Sequence, residues 1–447
     1  MGVWNDPEAS RMVYLGLYAQ QHRGQESSGI VTLHEDRHVV HRGMGLVGEV
    51  FSEKTLDRLK GTAGIGHNRY STTGSSTLVN VQPLTAMLYS GPVAIAHNGN
   101  LVNAEDLRRE LKSQGAILHG TNDTEVVLHL LARNPSSDIV QCLREAASMI
   151  KGAYSFTILT HDRLMAMRDP LGFRPLVMGR RALENGQYGY VVASESCAFD
   201  LIGAEYVREI APGEIWWVDK DGEHSVHLTV STERDSARCV FEHVYFARPD
   251  SKVFGQSVYE ARKRMGEVLA NENPVEADMV IPVPDSGVPA AIGYSRQSGL
   301  PFELGIIRNH YIGRTFIQPS QSIRSFGVKI KLNPQSEILK GKRVVVIDDS
   351  LVRGTTSQKI IRLIRHAGAK EVHFRISSPP TTGPCYYGVD TPKRSQLIAA
   401  QKSVDEIREF IGADSLAYLS IEGLLRAVQG SNKNYCTACF DGNYPLK

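Results

Sequence analysis

The run from Arg343 to Thr356, which reads RVVVIDDSLVRGTT, constrains the fold of this chain more than any other segment. Its unbroken row of β-branched residues is typical of a strand that is buried on both faces. Two acids follow the strand, and a Gly-Thr-Thr turn then leads into a helix predicted near 358–367. Because such a strand needs helices above and below it, the segment predicts a parallel β-sheet built from βαβ units.

The flanking segments repeat this alternation of strand and helix. Strands are predicted at 277–283, 343–347 and 371–376, and a further helix is predicted at 288–298. In sheets of this kind, ligands bind at the carboxyl ends of the strands. We therefore expect the two acids after Ile347 to belong to a binding site.

The first half of the chain has a different pattern. Short apolar strands broken by Gly, Asn and Ser are predicted at 63–67, 93–97, 155–159 and 190–194, with helices near 103–113 and 123–131. This pattern favours packed β-sheets flanked by helices. A chain of 447 residues exceeds the size of one hydrophobic core, and the polar segment from Ser231 to Ser236 separates the two patterns. We predict two domains, residues 1–230 and residues 231–447.

The charge balance and the hydropathy exclude several classes of protein. The 50 basic and 48 acidic residues give a net charge of +2, without the basic stripe of a nucleic-acid-binding surface. No segment approaches the roughly 18 unbroken apolar residues of a membrane span. The first residues lack the basic and apolar regions of a secretory signal. We expect a cytoplasmic protein that binds neither membranes nor nucleic acid.

The residues after the central strand suit the binding of a sugar phosphate. Backbone N–H groups at a helix N-terminus, helped by threonine hydroxyls, can hold a phosphate dianion. Carboxylates can bind ribose hydroxyls and Mg²⁺, which prefers oxygen ligands. A strand-to-helix turn capped by Asp and Ser is the alternative interpretation. The whole run resembles, almost letter for letter, the loop of type I phosphoribosyltransferases that binds phosphoribosyl pyrophosphate (PRPP).

That resemblance implies a set of ligand-binding residues. The PRPP-binding residues are Asp348, Asp349, Ser350, Arg353, Gly354, Thr355 and Thr356, and Mg²⁺ is implied on Asp348, Asp349 and Ser286. A second turn, formed by Asp285, Ser286 and Gly287, is similar to the loop that holds pyrophosphate, although an ordinary β-turn has the same composition.

The polar, basic segment from Arg308 to Gln321 resembles the mobile loop that closes over PRPP in the glutamine PRPP amidotransferase family. Closure would exclude water from a reactive ribose centre. The resemblance implies that Arg314 and Lys329 contact the pyrophosphate. A solvated cationic loop is the alternative interpretation.

The first half carries four motifs that resemble the glutaminase domain of the same family. They are HRGQE at 22–26, GHNRYSTTG at 66–74, AHNGN at 96–100 and NDTE at 122–125. The resemblance implies an α+β domain, an N-terminal nucleophile (Ntn) hydrolase-like αββα sandwich, followed by an α/β type I phosphoribosyltransferase domain. It also implies that Arg69 binds the α-carboxylate of glutamine, that Asp123 binds its ammonium group, and that Asn98 and Gly99 form the oxyanion hole. Taken alone, Asn98-Gly99 also suits a hairpin turn.

The nucleophile of such a domain is an N-terminal cysteine, and this chain has none. The family pattern Cys-Gly-Val-Phe-Gly-x-Trp aligns in two ways, with the cysteine three residues before Met1 or with Met1 in its place. Both alignments lose the thiol, and the first cysteine of the sequence is Cys142. We expect little or no glutamine hydrolysis by this polypeptide. A misassigned start, a shortened chain and a natural loss of the activity remain open explanations.

Four cysteines lie in the second half, at Cys239, Cys385, Cys436 and Cys439. Four thiolates suit a Cys₄ zinc ion or an iron–sulfur cluster, and their spacing does not choose between these or four unligated thiols. Their contexts resemble those of the cluster-containing branch of the family. The resemblance implies a structural [4Fe–4S] cluster that holds the C-terminal tail and is sensitive to oxygen.

Together these resemblances imply an amidophosphoribosyltransferase. It would form 5-phosphoribosylamine and pyrophosphate from PRPP and ammonia, the first committed step of purine biosynthesis, and the ammonia would normally come from glutamine through an internal channel. Family members are homotetramers or homodimers that purine nucleotides inhibit. A PRPP-sensing regulatory protein without turnover is the alternative, although it has little use for a closing loop. A base-specific phosphoribosyltransferase would leave the glutamine motifs unexplained.

Overall fold

The computed structural model describes residues 1–70, 75–134, 136–229, 235–310, 331–431 and 433–446. In this part of the chain, no helix combines the length and the apolar character that crossing a bilayer requires. The predicted contacts of Arg314 and Lys329 lie outside the described residues.

The first half contains strands and helices in alternating groups. The strands are β1 Gly2–Trp4, β2 Ser27–His34, β3 Arg37–Met44, β4 Ala63–Arg69, β5 Leu84–Leu88, β6 Gly91–Leu101, β7 Gly152–Leu159, β8 Leu164–Arg168, β9 Val177–Ala182, β10 Tyr188–Ala193, β11 Glu205–Glu209, β12 Glu214–Asp219 and β13 Gly222–His227. The helices are α1 Ala9–Ala19, α2 Val47–Val50, α3 Glu53–Arg58, α4 Ala104–Ser113, α5 Thr124–Arg133, α6 Ile139–Met149 and α7 Cys197–Ile202.

These strands form two antiparallel sheets packed face to face. One sheet has the order β11-β9-β10-β1-β4-β2-β3 and the other has the order β13-β12-β8-β7-β6-β5. Apolar side chains of both sheets, among them Ile65 and Leu159, fill the space between them. Helices α1 and α7 cover the outer face of the first sheet, and α4, α5 and α6 cover that of the second. This is the predicted αββα sandwich.

The second half has the following elements. The strands are β14 Arg238–Cys239, β15 Lys252–Val253, β16 Gln256–Ser257, β17 Met279–Pro282, β18 Ile306–Arg308, β19 Leu332–Pro334, β20 Arg343–Asp348, β21 Glu371–Ile376, β22 Ser415–Tyr418 and β23 Tyr435–Cys436. The helices are α8 Val258–Glu272, α9 Val288–Ser298, α10 Ser336–Leu339, α11 Thr355–His366, α12 Val404–Ile411, α13 Ile421–Ala427 and α14 Ala438–Asp441.

Strands β17, β20, β21 and β22 form the predicted parallel sheet, in the order β17-β20-β21-β22. Helices α8, α9 and α13 pack on one face, and α11 and α12 pack on the other, which confirms the α/β class. Pro282 of β17 is paired with Ile347 of β20, so the carboxyl ends of both strands meet at the same edge. This register brings the turn after β17 beside the acids after β20.

Two differences from the expected elements have local causes. Helix α11 begins at Thr355, three residues before its predicted start, because Gly354 adopts a φ of +76° and ends the preceding loop. Strand β1 is too short for periodicity to reveal, yet it lies in the middle of the first sheet between β10 and β4.

Candidate active sites

The four residues expected to bind glutamine line one cavity in the first half of the chain. Arg69 ends β4, Asn98 and Gly99 lie in β6, and Asp123 directly precedes α5. They come from three separated segments, and the sandwich brings them together because β4 and β6 belong to the facing sheets. The predicted grouping of these residues is therefore present.

Asp123 is held as an anion at the wall of this cavity. Burial alone would raise the pKa of its carboxyl, but the nearby His97 and backbone N–H donors outweigh burial and lower it. Its Oδ2 accepts a hydrogen bond from the backbone N–H of Leu101 at 3.0 Å and lies 3.5 Å from Nδ1 of His97. A fixed carboxylate of this kind suits the ammonium group of an amino acid.

Arg69 supplies the opposite charge. Only 4% of the residue is exposed, and burial lowers the pKa of its guanidinium. One of its Nη atoms donates to the backbone carbonyl of Ser75 at 3.1 Å, which fixes the side chain against the next segment. The planar guanidinium lines the cavity and can donate two parallel hydrogen bonds to a carboxylate.

Asn98 and Gly99 lie inside β6, which runs without a break from Gly91 to Leu101, so the hairpin-turn alternative is wrong. The side-chain amide of Asn98 donates to Oγ of Ser194 at 3.3 Å. A Cβ atom on Gly99 would lie 2.0 Å from the carbonyl oxygen of Ala153, so only glycine fits there. The lack of a side chain leaves this stretch of backbone accessible from the cavity.

Met1 also lines this first cavity, which we name the glutamine cavity after its expected ligand. Its α-amino group donates to the carbonyl oxygen of Gly66 at 2.9 Å, and burial lowers the pKa of this group to about 5. The thioether packs into the core beside Gly16 of α1. Cys142 and Cys197 are buried away from the cavity, so among its described lining residues there is an amine but no thiol.

A second cavity, of about 700 Å³, lies at the carboxyl edge of the parallel sheet. We name it the PRPP cavity after its expected ligand. Most of the predicted PRPP-binding residues line it, and they are Ser286, Asp348, Asp349, Ser350, Arg353, Gly354, Thr355 and Thr356. One continuous segment, from Asp348 to Thr356, thus supplies all of these residues except Ser286. The first turn of α11 presents its backbone N–H groups there, as expected for a phosphate site.

Two predicted residues of the β17 turn do not line this cavity. The carboxylate of Asp285 forms an ion pair with Arg308. Gly287 packs against β20, where a Cβ atom would lie 2.4 Å from the carbonyl oxygen of Ile347. In the structure, Ser286 is the residue of this turn that faces the cavity, and Gly287 provides the close approach that places it there.

The two acids after β20 form a tightly coupled pair. Burial raises the pKa of both, and at Asp348 the negative charge of Asp349 adds to the effect. Oγ of Ser350 donates to Asp349 at 2.5 Å, and the backbone N–H of Asp349 donates to Asp348 at 2.9 Å. Two such carboxylates beside the Ser286 hydroxyl are the hard oxygen ligands that Mg²⁺ prefers.

The four cysteines of the second half line the other end of the same cavity. Cys239 and Cys436 are paired across the two-stranded parallel sheet β14-β23. Burial raises the pKa of the Cys239 thiol to about 12, and the cation of Arg174 opposes this rise. Within the described residues, no three His, Cys, Asp or Glu side chains are grouped closely enough to hold a single metal ion.

Four residues line both cavities and form a common wall, namely Arg23, Tyr70, Phe246 and Asp390. The guanidinium of Arg23 is paired with Glu195 of the first half and, at 2.7 Å, with Glu242 of the second. Sequence patterns assigned no role to these acids. The sequence signal for Arg23 is the motif at 22–26, where an arginine and a glycine follow the apolar helix α1. The motif does not reveal Glu195 and Glu242, because both are distant from it in sequence.

Comparisons with known proteins identify a known family in each half of the chain. Residues 67–200 match the family described as the glutamine amidotransferase domain, and residues 257–390 match the phosphoribosyl transferase domain. The chain is 56% identical to amidophosphoribosyltransferase 1, chloroplastic, of Arabidopsis thaliana, over 100% of this chain and 78% of the relative. It is 47% identical to amidophosphoribosyltransferase of Bacillus subtilis, over 100% and 93% of the two chains.

Solved structures show the same architecture. One, described as the allosteric regulatory enzyme of purine biosynthesis, has a TM-score of 0.94 at 47% identity and covers 100% of this chain and 96% of its own. Another is the glutamine PRPP amidotransferase of B. subtilis in complex with ADP and GMP, with a TM-score of 0.92 and 47% identity over 100% and 97% of the two chains. With relatives this similar over its full length, the chain belongs to the amidophosphoribosyltransferase family, the pentosyltransferases of the first step of purine biosynthesis.

Proposed function

We propose that this chain forms 5-phosphoribosylamine from PRPP with ammonia as the immediate nitrogen donor. The observation that carries the proposal is the cavity at the carboxyl edge of the parallel sheet, where Asp348 to Thr356 line one continuous wall. The regular backbone of α11 offers N–H groups to the 5′-phosphate, and the buried acids face the ribose. PRPP is the ligand class that combines these two groups.

In the proposed reaction, the nitrogen lone pair of ammonia attacks C1 of the ribose. A C1–N bond forms as the C1–O bond to pyrophosphate breaks, the bonding electrons leave with pyrophosphate, and the amine releases a proton to solvent. Bound Mg²⁺ would neutralise charge on the leaving pyrophosphate. The carboxylates of Asp348 and Asp349 and the hydroxyl of Ser286 would hold it and orient the ribose, and Arg314 and Lys329 would contact the pyrophosphate.

The source of ammonia depends on the first cavity. Arg69, Asp123, Asn98 and Gly99 suit the binding of glutamine, and the four residues of the common wall place the two cavities next to each other. Transfer of ammonia across this wall is consistent with that placement. In the proposed reaction the immediate donor is ammonia, whether it comes from solution or from glutamine bound in the first cavity.

A [4Fe–4S] cluster on Cys239, Cys385, Cys436 and Cys439 is part of the proposal. Four soft ligands around one cavity suit a cluster, which holds its ligands farther apart than a single ion does. Arg174 is fully buried, and its Nε and Nη1 have no hydrogen-bond partner among the described residues. The Nη2 of Arg174 is paired with Glu242 at 2.7 Å, so an anionic cluster would be a second negative partner for this guanidinium. The role of the cluster would be to fasten β23 and the C-terminal tail to β14.

The proposal also covers the domain boundaries, the assembly, the inhibitors and the location of the protein. We infer two domains, 1–230 and 231–447, and a homo-oligomer of two or four chains. Inhibition by purine nucleotides is supported by the B. subtilis relative, whose structure contains ADP and GMP. We keep the proposal of a cytoplasmic protein, although the Arabidopsis relative is named as chloroplastic.

The test is pyrophosphate release from Mg-PRPP by the anaerobically purified chain, with ammonium and glutamine compared as nitrogen donors. Release with ammonium is the expected result. Release with glutamine as well would show that the first site supplies ammonia to the second. A folded protein that binds PRPP without any release would instead favour the regulatory alternative.

A further inference from the structure

A loop of the second half forms part of the glutamine cavity. Gly388 and Asp390 belong to the segment 385–391, which lies between β21 and β22 in sequence, and both line the cavity together with Gly99. The loop begins at Cys385, one of the four cysteines of the other cavity. It therefore lies between the cysteine end of the PRPP cavity and the strand that carries the expected oxyanion hole.

The contact between the loop and that strand is made by backbone atoms. A Cβ atom on Gly388 would lie 2.8 Å from both Cα and the carbonyl carbon of Gly99. Gly388 also has a φ of +100°, which disfavours any other residue. On its opposite side Gly99 is confined by the carbonyl oxygen of Ala153, which a Cβ atom on Gly99 would approach to 2.0 Å. Gly99 is thus held between two backbone segments.

The loop itself is anchored at several points. The backbone N–H of Cys385 donates to Oγ1 of Thr391 at 2.6 Å, which closes the loop on itself. Asn100, next to Gly99, donates its side-chain amide to the carbonyl oxygen of Tyr386 at 2.9 Å. The ring of Tyr387 stacks on Phe173 with ring centroids 4.3 Å apart. An anchored loop can fix the position of the strand beneath it.

We propose that Gly388 is a positioning residue for the glutamine site, because its backbone holds Gly99 where the N–H can face the carboxamide oxygen of glutamine. This inference rests on the proposed role of Gly99 in the oxyanion hole. It implies that the glutamine site is complete only when the loop that starts at Cys385 is in place. The geometry of the cysteine region then sets that of a site in the other half of the chain.

The first test is amide hydrogen exchange of the peptide from Ala96 to Leu101, measured by mass spectrometry. In Gly388→Ala these amides should exchange about tenfold faster than in the wild-type protein, because the added Cβ displaces the strand. Gly115→Ala is the matched control. Gly115 lies in the same half of the chain as the peptide, it has a φ of +88°, and a Cβ atom there would meet no other atom within 4 Å. Wild-type exchange in a folded Gly388→Ala protein would overturn the inference.

Titration calorimetry with L-glutamine provides a second readout. The Kd for glutamine should rise about tenfold in Gly388→Ala and stay at the wild-type value in Gly115→Ala. An unchanged Kd in a folded Gly388→Ala protein would also count against the inference. If the wild-type chain binds no glutamine, the proposed glutamine site fails, and the exchange experiment still decides whether Gly388 positions Gly99.

Thr391→Val is used if Gly388→Ala does not fold. It removes the Oγ1 acceptor of Cys385 with little change in shape. Exchange of the same peptide should then rise about threefold, less than for the direct contact. Exchange at the wild-type rate in Thr391→Val would overturn the inference.

Discussion

The PRPP cavity takes most of its predicted ligand residues from one continuous segment, whereas the glutamine cavity takes its predicted ligand residues from several distant segments. In the first case, β20 ends at Asp348 and α11 begins at Thr355, so strand end, turn and helix start are consecutive in sequence. In the second case, Arg69, Gly99 and Asp123 meet only after two sheets have packed.

This difference depends on where backbone N–H groups lack hydrogen-bond partners. The first turn of a helix leaves N–H groups without partners, and these are a ready site for phosphate. An antiparallel sandwich pairs most of its backbone groups within the sheets, so a site there needs side chains, or a glycine such as Gly99, brought from several strands. We expect the local site to depend on its own segment and the distributed site to depend on packing.

The largest expected effect is at the local site. Asp349→Asn should lower kcat/KM for PRPP with ammonium at least about 10²-fold, because a charged group that orients the reacting ribose is lost. The Kd for glutamine should not change, since that cavity is built by other segments. Pyrophosphate release and calorimetry measure the two quantities. A parallel loss of glutamine binding would contradict the independence of the sites.

Glu195 tests the wall that the two sites share. Its buried carboxylate contacts His22 at 2.6 Å and Ser251 at 2.6 Å, and it is paired with Arg23. Glu195→Gln should lower the free energy of unfolding by about 3 kcal/mol, because a buried ion pair loses one partner. Urea denaturation measures this loss. Lys54→Gln, at an exposed position, is the control and should change it little.

The stabilisation that Glu195 provides should depend on pH in a predictable direction. Burial would raise the pKa of Glu195, but the charge of Arg23 together with the contacts of His22 and Ser251 outweighs burial and holds the pKa well below its usual value of 4.5. The stabilisation is therefore present above about pH 4.5 and is lost as the pH falls toward the folded-state pKa. The difference in stability between wild-type and Glu195→Gln proteins should narrow below that pH. A constant difference would show that the charge of Glu195 is not its source.

The same contrast explains what the sequence could predict. Strand β20, its loop and the start of α11 are predictable because the apolar run, the acids and the helix start are adjacent in sequence. Helix α9 and strand β21 begin and end at the predicted residues, because their patterns are also local in sequence. Arg69 and Asp123 are found only through resemblance, since spacing does not show that β4 and α5 meet. Neither route points to Glu195, Glu242 or Gly388, whose partners are distant in sequence.

A smaller effect is expected at the distributed site. Arg69→Gln should raise the Kd for glutamine roughly 30-fold, about 2 kcal/mol, because the guanidinium no longer pairs with the α-carboxylate. Ammonium-dependent turnover should stay at the wild-type rate. Calorimetry and pyrophosphate release check the two statements. Arg109→Gln, which removes an exposed ion pair on α4, is the control and should leave glutamine binding unchanged.

The smallest expected effect separates backbone strain from local crowding at the PRPP loop. Gly354 and Gly412 have φ values of +76° and +78°, so alanine at either position should lower stability by about 1 kcal/mol. A Cβ on Gly354 would also lie 3.0 Å from Ile398 and 3.1 Å from Phe410, whereas Gly412 is open. Gly354→Ala should therefore raise KM for PRPP about threefold, because α11 shifts at its first turn, and Gly412→Ala should not. Equal KM values in the two variants would show that the loop adapts without moving the helix.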